Sequence, residues 1–248
     1  YDAFIQTLKS IPPIRELFDA SAQVREGYTV EQHTKLVFQQ MLMAKRFSPC
    51  DQLQQSLRNK NGFEHFDINK FMFVLVAFHD IGKSIGQGSA EQHVFTTPIL
   101  PALMKPMGFT PAEIKLAQTL VDNDVLGEWQ KNSPHAAPSA VAVTQQMMIL
   151  ADTADVSAND YFQLQRLLFI SDSSSYPSIR ARFMQADPSG QWKFNPEPGS
   201  ASSRIEQIES LFASPVTVTI QSVFHNIKSL PTGPGNKFEL VRQLFSTE

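Results

Sequence analysis

The chain has 248 residues, of which 42% are hydrophobic and 18% charged, so it can bury a core and is not disordered by composition. A net charge of -3 leaves no basic footprint, which argues against a general or sequence-specific nucleic-acid binder, although a metal site could still supply the positive field that a small anionic substrate needs. The one cysteine, Cys50, excludes an intrachain disulfide, suits a reducing, cytoplasmic compartment, and reads as a loop or core thiol.

The longest apolar stretch, Phe71 to Phe78, is far shorter than the ~20 residues that cross a bilayer, so no membrane span is expected. The chain opens on Tyr1 rather than methionine, which predicts a trimmed or partial sequence whose upstream signals would be missing. No internal repeat or long low-complexity tract is present.

Helical signals dominate in chain order. Thr29 with Gln32 forms a capping-box pattern that opens a helix to about Phe47, with His33 in its first turns. Asp67 can cap the next helix, Ile68 to about Phe78, which is apolar nearly all round and so should be buried. That helix ends at His79-Asp80, and Gly82 is placed to terminate it in the left-handed conformation. Ser89 with Gln92 predicts another capping box, for a helix that carries His93 towards Met104. Thr110-Pro111-Ala112-Glu113 joins a cap, a first-turn proline and a first-turn acid, and predicts a helix to about Asp124.

An apolar-rich segment from Ala137 to Ile170 contains Asp152 and Asp155, with Met147 and Met148 as ordinary core. Strand-like alternation is confined to Val216 to Ile220, where helix competes with it. From Ser171 to Ser203 the chain is rich in Ser, Pro and Gly, with Trp192 and Phe194 as expected anchors. The tail from Arg204 reads as short helices broken at Pro215 and around Pro231 to Gly235. The expected fold is all-α, with a helical domain over residues 1–170 and a helical extension or lid over 171–248.

His79 and Asp80 stand at the buried end of an apolar helix, where an ionised carboxylate is costly unless it is paired or bound to a cation. Side by side they offer a nitrogen and an oxygen to a divalent ion; the bland alternative is a helix-end His beside a solvated Asp. A further His and Asp from other helices would complete a mixed site with open positions for water and substrate. His33 lies on an earlier helix, and Ile149-Leu150-Ala151-Asp152 places another carboxylate in an apolar helix. His65, His135 and His225 read as structural or solvent-facing.

This string, with Phe78-His79-Asp80-Ile81-Gly82-Lys83 at its centre, resembles the HD superfamily of metal-dependent phosphohydrolases over about residues 28 to 160. The resemblance implies His33 as first metal ligand, His79 and Asp80 as the central pair, and Asp152 as the last, with Asp155 one turn on as the fallback. It also implies one or two divalent ions (Mn, Fe, Mg, Co or Zn), a metal-activated water that Asp80 orients or deprotonates, and a small phosphate ester or nucleotide as substrate. Lys83 fits the family's His-Asp-Ile-Gly-Lys variant, where it would contact substrate phosphate; satisfying the helix dipole is the alternative. Family members with two metals carry more histidines between the central pair and the last Asp. His93 falls at one such place, but the next holds Asp122 and Asp124, so these two positions are expected as a second site or as supporting residues. No Gly-Tyr-Pro follows the pair, and the His-Asp-Ile-Gly-His pattern of deoxynucleoside-triphosphate hydrolases is missing. Two competitors share the fold: a diiron oxygenase resembling the inositol oxygenases, and a non-catalytic signalling or interaction module.

Overall fold

The computed structural model describes residues 1–24, 26–85, 92–131, 139–180, 184–186, 188, 192–194 and 201–213. Short α1 (Asp2–Lys9) and α2 (Pro12–Asp19) lead through a loop closed by a Ser21–Thr29 bridge into α3 (Val30–Ala44), which Lys45–Phe47 extends as a 3-10 turn. There follow α4 (Cys50–Arg58), α5 (Ile68–Phe78), a 3-10 turn at Ile81–Ser84, α6 (Gln92–Met104), α7 (Pro111–Asp122), α8 (Val125–Lys131), α9 (Ala140–Thr153) and α10 (Ala158–Ser175). After α11 (Pro177–Arg180), β1 (Met184–Ala186) pairs antiparallel with β2 (Trp192–Phe194), and α12 (Ala201–Ala213) closes the described chain. The fold is all-α. No helix among the described residues is long and apolar enough to cross a membrane.

The helices begin where local chemistry dictates. Thr29 accepts from the backbone of Gln32 while the Gln32 side chain returns to the Thr29 amide, and Thr110 and Glu113 repeat the arrangement at α7. Asp67 accepts from the amides of Asn69 and Lys70 at the head of α5. Gly82 departs from expectation. Its φ is not positive, and it sits inside the Ile81–Ser84 turn, where a Cβ would stand 2.4 Å from the Gln92 carbonyl and 2.6 Å from Thr96 Oγ1. Glycine serves there for close approach of α6 rather than for a left-handed cap. The predicted Ser89 cap, Val216 to Ile220, Pro215, Pro231 to Gly235, His135 and His225 lie outside the described residues, as do the side chains of Trp192 and Phe194.

α5 is the apolar centre: Phe71, Met72, Leu75, Val76, Ala77 and Phe78 are fully buried. α10 packs along α3, against which it makes its broadest contact, and also touches α4, α7, α8, α9 and α12. Buried polar side chains on α10 set its register. Tyr161 donates its hydroxyl to the Thr119 carbonyl at 3.1 Å, and Gln165 donates to the carbonyls of Leu120 and Asn123, pinning the C-terminal end of α7. The apolar segment around Asp152 is thus two helices, joined through Asp155 in the left-handed region at φ 57, which aspartate tolerates. The division expected at residue 170 falls inside α10, so the helix that closes the first part also opens the second. The β1–β2 pair was not legible in sequence, because three-residue strands hold too little alternation to register.

Candidate metal centre

Three elements converge on one buried point. α3 supplies His33 in its first turn, α5 ends in His79-Asp80, and α10 supplies Asp172 near its C-terminal end. One ligand atom from each of His33, His79, Asp80 and Asp172 lies within 4.8 Å of all the others, a cluster that could hold a metal ion. His33 is 0% exposed and Asp80 1%, while the Asp172 side chain retains 32% of its surface and forms the solvent edge.

The two imidazoles are oriented by their other nitrogens. His79 Nδ1 lies 2.8 Å from the Val76 carbonyl, which can only accept, so Nδ1 carries the hydrogen and Nε2 offers a lone pair. That Nε2 is buried without a hydrogen-bond partner, 3.4 Å from Asp80 Oδ2 and 3.6 Å from Asp172 Oδ1. A buried lone pair facing two carboxylates is an unstable arrangement unless a proton or a cation lies between them. Two nitrogens and two carboxylate oxygens are a donor set for a divalent ion, and the orphaned Nε2 is the physical sign that these residues fit one.

His33 Nε2 lies 2.9 Å from both Asp80 Oδ2 and Asp172 Oδ1, and its Nδ1 lies 3.5 Å from Ser175 Oγ. Burial opposes charge on His33, but the hydrogen bonds to Asp172 and Asp80 outweigh it and push its pKa up to about 9. The two carboxyls show the converse. Burial works against their ionisation, yet the imidazoles around both, and Lys83 beside Asp80, hold them well below the usual carboxylate range.

Lys83 is 6% exposed and donates to Asp80 Oδ2 at 2.5 Å. In a 3-10 turn side chains three apart eclipse one another, and the Lys83 amide bonded to the Asp80 carbonyl makes that turn. The ammonium therefore braces the carboxylate. This contact with Asp80 was in neither sequence expectation for Lys83.

Asp152 does not join the cluster. It is exposed on α9, one position beyond buried Ala151, so the helix turns its carboxylate to the surface. Asp155, the fallback, is bonded to Lys115 at 2.8 Å on the outside. Asp172, not singled out in the sequence, is the fourth residue of the cluster. It was missed because it lies in a serine-rich run, Ser171 to Ser175, that reads as the end of a helix. The available signal was Leu168-Phe169 one turn earlier, whose apolar face Asp172 continues.

His93 and Asp124 line a cavity of about 40 Å³ shared with His79, Asp80 and Asp172, and walled by Leu120, Leu168 and Phe169. That volume holds a few waters, not a nucleotide base. Asp124 accepts from the Gly127 amide at 3.0 Å and so caps α8; a Cβ on Gly127 would collide with this carboxylate. Asp122 is exposed, 3.4 Å from Thr97 Oγ1, and His65 is likewise exposed. A wider surface depression of about 470 Å³ beside Lys45, Cys50 and Asn69 holds none of the cluster. Comparison of the chain with protein-family models, with curated proteins and with solved structures finds no match.

Proposed function

We propose that the chain is a metal-dependent phosphohydrolase of the HD type, acting on a small phosphate ester or nucleotide. The observation that carries this reading is the orphaned His79 Nε2, buried against Asp80 and Asp172 with His33 completing the set. His33, His79, Asp80 and Asp172 would hold the ion, and this N₂O₂ set admits Mn, Fe, Mg, Co or Zn. A divalent ion there supplies Lewis acidity, lowering the pKa of a water and polarising a phosphoryl oxygen.

The chain's own groups do the rest. Lys83 fixes the Asp80 carboxylate, and Val76 and Ser175 orient the two imidazoles, so the donor set is organised in advance. The solvent edge at Asp172 and the small cavity beside it leave room for water and the reacting phosphoryl group, while the remainder of a substrate must lie outside. Leu120, Leu168 and Phe169 make the inner wall apolar, which strengthens the electrostatics. The four-residue cluster supplies the donors of one ion.

The test is metal content by plasma mass spectrometry, together with hydrolysis of bis(p-nitrophenyl) phosphate, for wild type and Asp80→Ala. Wild type should bind a divalent ion and hydrolyse the ester, and the variant should lose both. An Asp80→Ala protein that keeps both would overturn the reading. Two irons per chain with visible absorbance would replace it with the oxygenase reading, and a wild type that binds no ion after reconstitution with Mn²⁺ would leave an interaction module.

A further inference from the structure

Beyond the four donors, α10 brings one more polar group to the cluster. Tyr176 follows Ser175 at the C-terminal end of the helix and precedes Pro177, so its backbone is pushed towards the extended region, with φ -89 and ψ 116. Its carbonyl accepts from the amides of Ile179 at 3.0 Å and Arg180 at 2.9 Å, and Arg180 Nε donates to the Ser174 carbonyl at 2.8 Å. Both flanks of the residue are tied down. The ring stacks on the His33 imidazole, with centroids 5.0 Å apart and planes at 29°, and its hydroxyl lies 3.4 Å from His33 Nε2.

That nitrogen cannot serve the phenol as an acceptor. When Nε2 carries a hydrogen it donates to Asp80 and Asp172, and when it binds a cation its lone pair is used. In both cases the phenol's hydrogen is left for another acceptor beside the cluster. A phenol carries its hydrogen through neutral pH and so can donate there.

We propose that Tyr176 is a positioning residue of this centre, whose hydroxyl donates a hydrogen bond to the water or small anion that a bound divalent ion carries. The inference rests on the metal reading of the cluster but not on the reaction assigned to it. A phosphoryl oxygen or an attacking water would be held by the same donor.

The test uses the full chain loaded with Co²⁺ and titrated with azide, followed in the visible spectrum, for wild type and Tyr176→Phe. Phenylalanine keeps the ring against His33 and removes only the hydroxyl. We expect Co²⁺ affinity within about threefold of wild type and azide affinity lower by roughly threefold to tenfold, the size of one hydrogen bond. With bis(p-nitrophenyl) phosphate, kcat should fall by more than KM changes. Unchanged azide affinity would overturn the inference, as would a loss of Co²⁺ binding as large as that of Asp172→Asn, which would make Tyr176 a mere support for His33. Should the variant fail to fold by circular dichroism, azide added to the Co²⁺-loaded wild type should give a tyrosine difference spectrum in the near ultraviolet, and its absence would also sink the proposal. A wild type that binds Co²⁺ and azide but cleaves no ester would refute the hydrolase reading alone, whereas one that binds no Co²⁺ would refute both.

Discussion

Asp172 and Asp152 separate what the structure places at the centre from what the local pattern Leu150-Ala151-Asp152 suggests. Consider Asp172→Asn, which keeps the size of the side chain and removes its charge. Asp80 and Asp172 are the two carboxylates of the cluster, each 2.9 Å from His33 Nε2, and together they would balance a divalent ion. Removing one partner of a buried charge pair costs about 3–5 kcal/mol. The Asp172 side chain keeps 32% of its surface, so water screens part of that loss and the lower end applies, about 3 kcal/mol. That corresponds to a loss of about two orders of magnitude in ion affinity. Asp152→Asn alters an exposed carboxylate on the outside of α9 and should leave affinity within about threefold. Isothermal titration of Mn²⁺ into the stripped proteins measures both. If Asp152→Asn weakened binding a hundredfold while Asp172→Asn did not, the four-residue assignment would be wrong.

Three further outcomes follow from the same geometry. His33 has a folded pKa of about 9 against 6.5 unfolded, so its contribution to stability is complete below pH 6.5 and is lost as pH rises through 9. In protein stripped of divalent ions this amounts to about 3 kcal/mol, which urea unfolding at pH 6 and pH 9 should resolve; equal stabilities would contradict it. Lys83→Met leaves buried Asp80 without its closest cation and should lower the Tm of stripped protein more than that of Mn²⁺-loaded protein, where the ion takes over the charge balance. Equal losses in the two would show that Lys83 does not brace the carboxylate. Gly82→Ala forces a Cβ to 2.4 Å from the Gln92 carbonyl, a backbone atom that cannot yield cheaply, and should cost about 1–3 kcal/mol, read as a Tm several degrees lower. An unchanged Tm would return Gly82 to an ordinary turn position.

Features set by neighbours in the chain were legible without the fold. The caps at Thr29 and Thr110 are reciprocal bonds over three residues, that at Asp67 accepts from the amides two and three residues on, and the burial of α5 follows from its apolar composition all round. His33, His79 and Asp80 were legible for a related reason: each ionisable group sits on a strongly marked helix, and an interior Asp without a partner is too costly to be accidental. The family resemblance that joined them also suggested Asp152, which the structure sets outside the cluster. The sequence around residue 152 shows an aspartate in an apolar helix, but not that Ala151 faces inward and Asp152 therefore outward.

Which carboxylate completes the centre was decided by packing across long separations. α10 lies along α3, held in register by Tyr161 and Gln165 against the end of α7, and that register turns Asp172, Ser175 and Tyr176 towards His33. The direction of Lys83 is set locally by the 3-10 turn that brings it over Asp80, whereas its burial is a tertiary matter. By itself the sequence determined an all-α chain and marked three of the four residues that cluster, because capping, apolar periodicity and the cost of buried charge all act within a few residues. Only the tertiary structure chose Asp172 over Asp152 and set Tyr176 on the cluster, because the face a helix buries depends on the helix it meets.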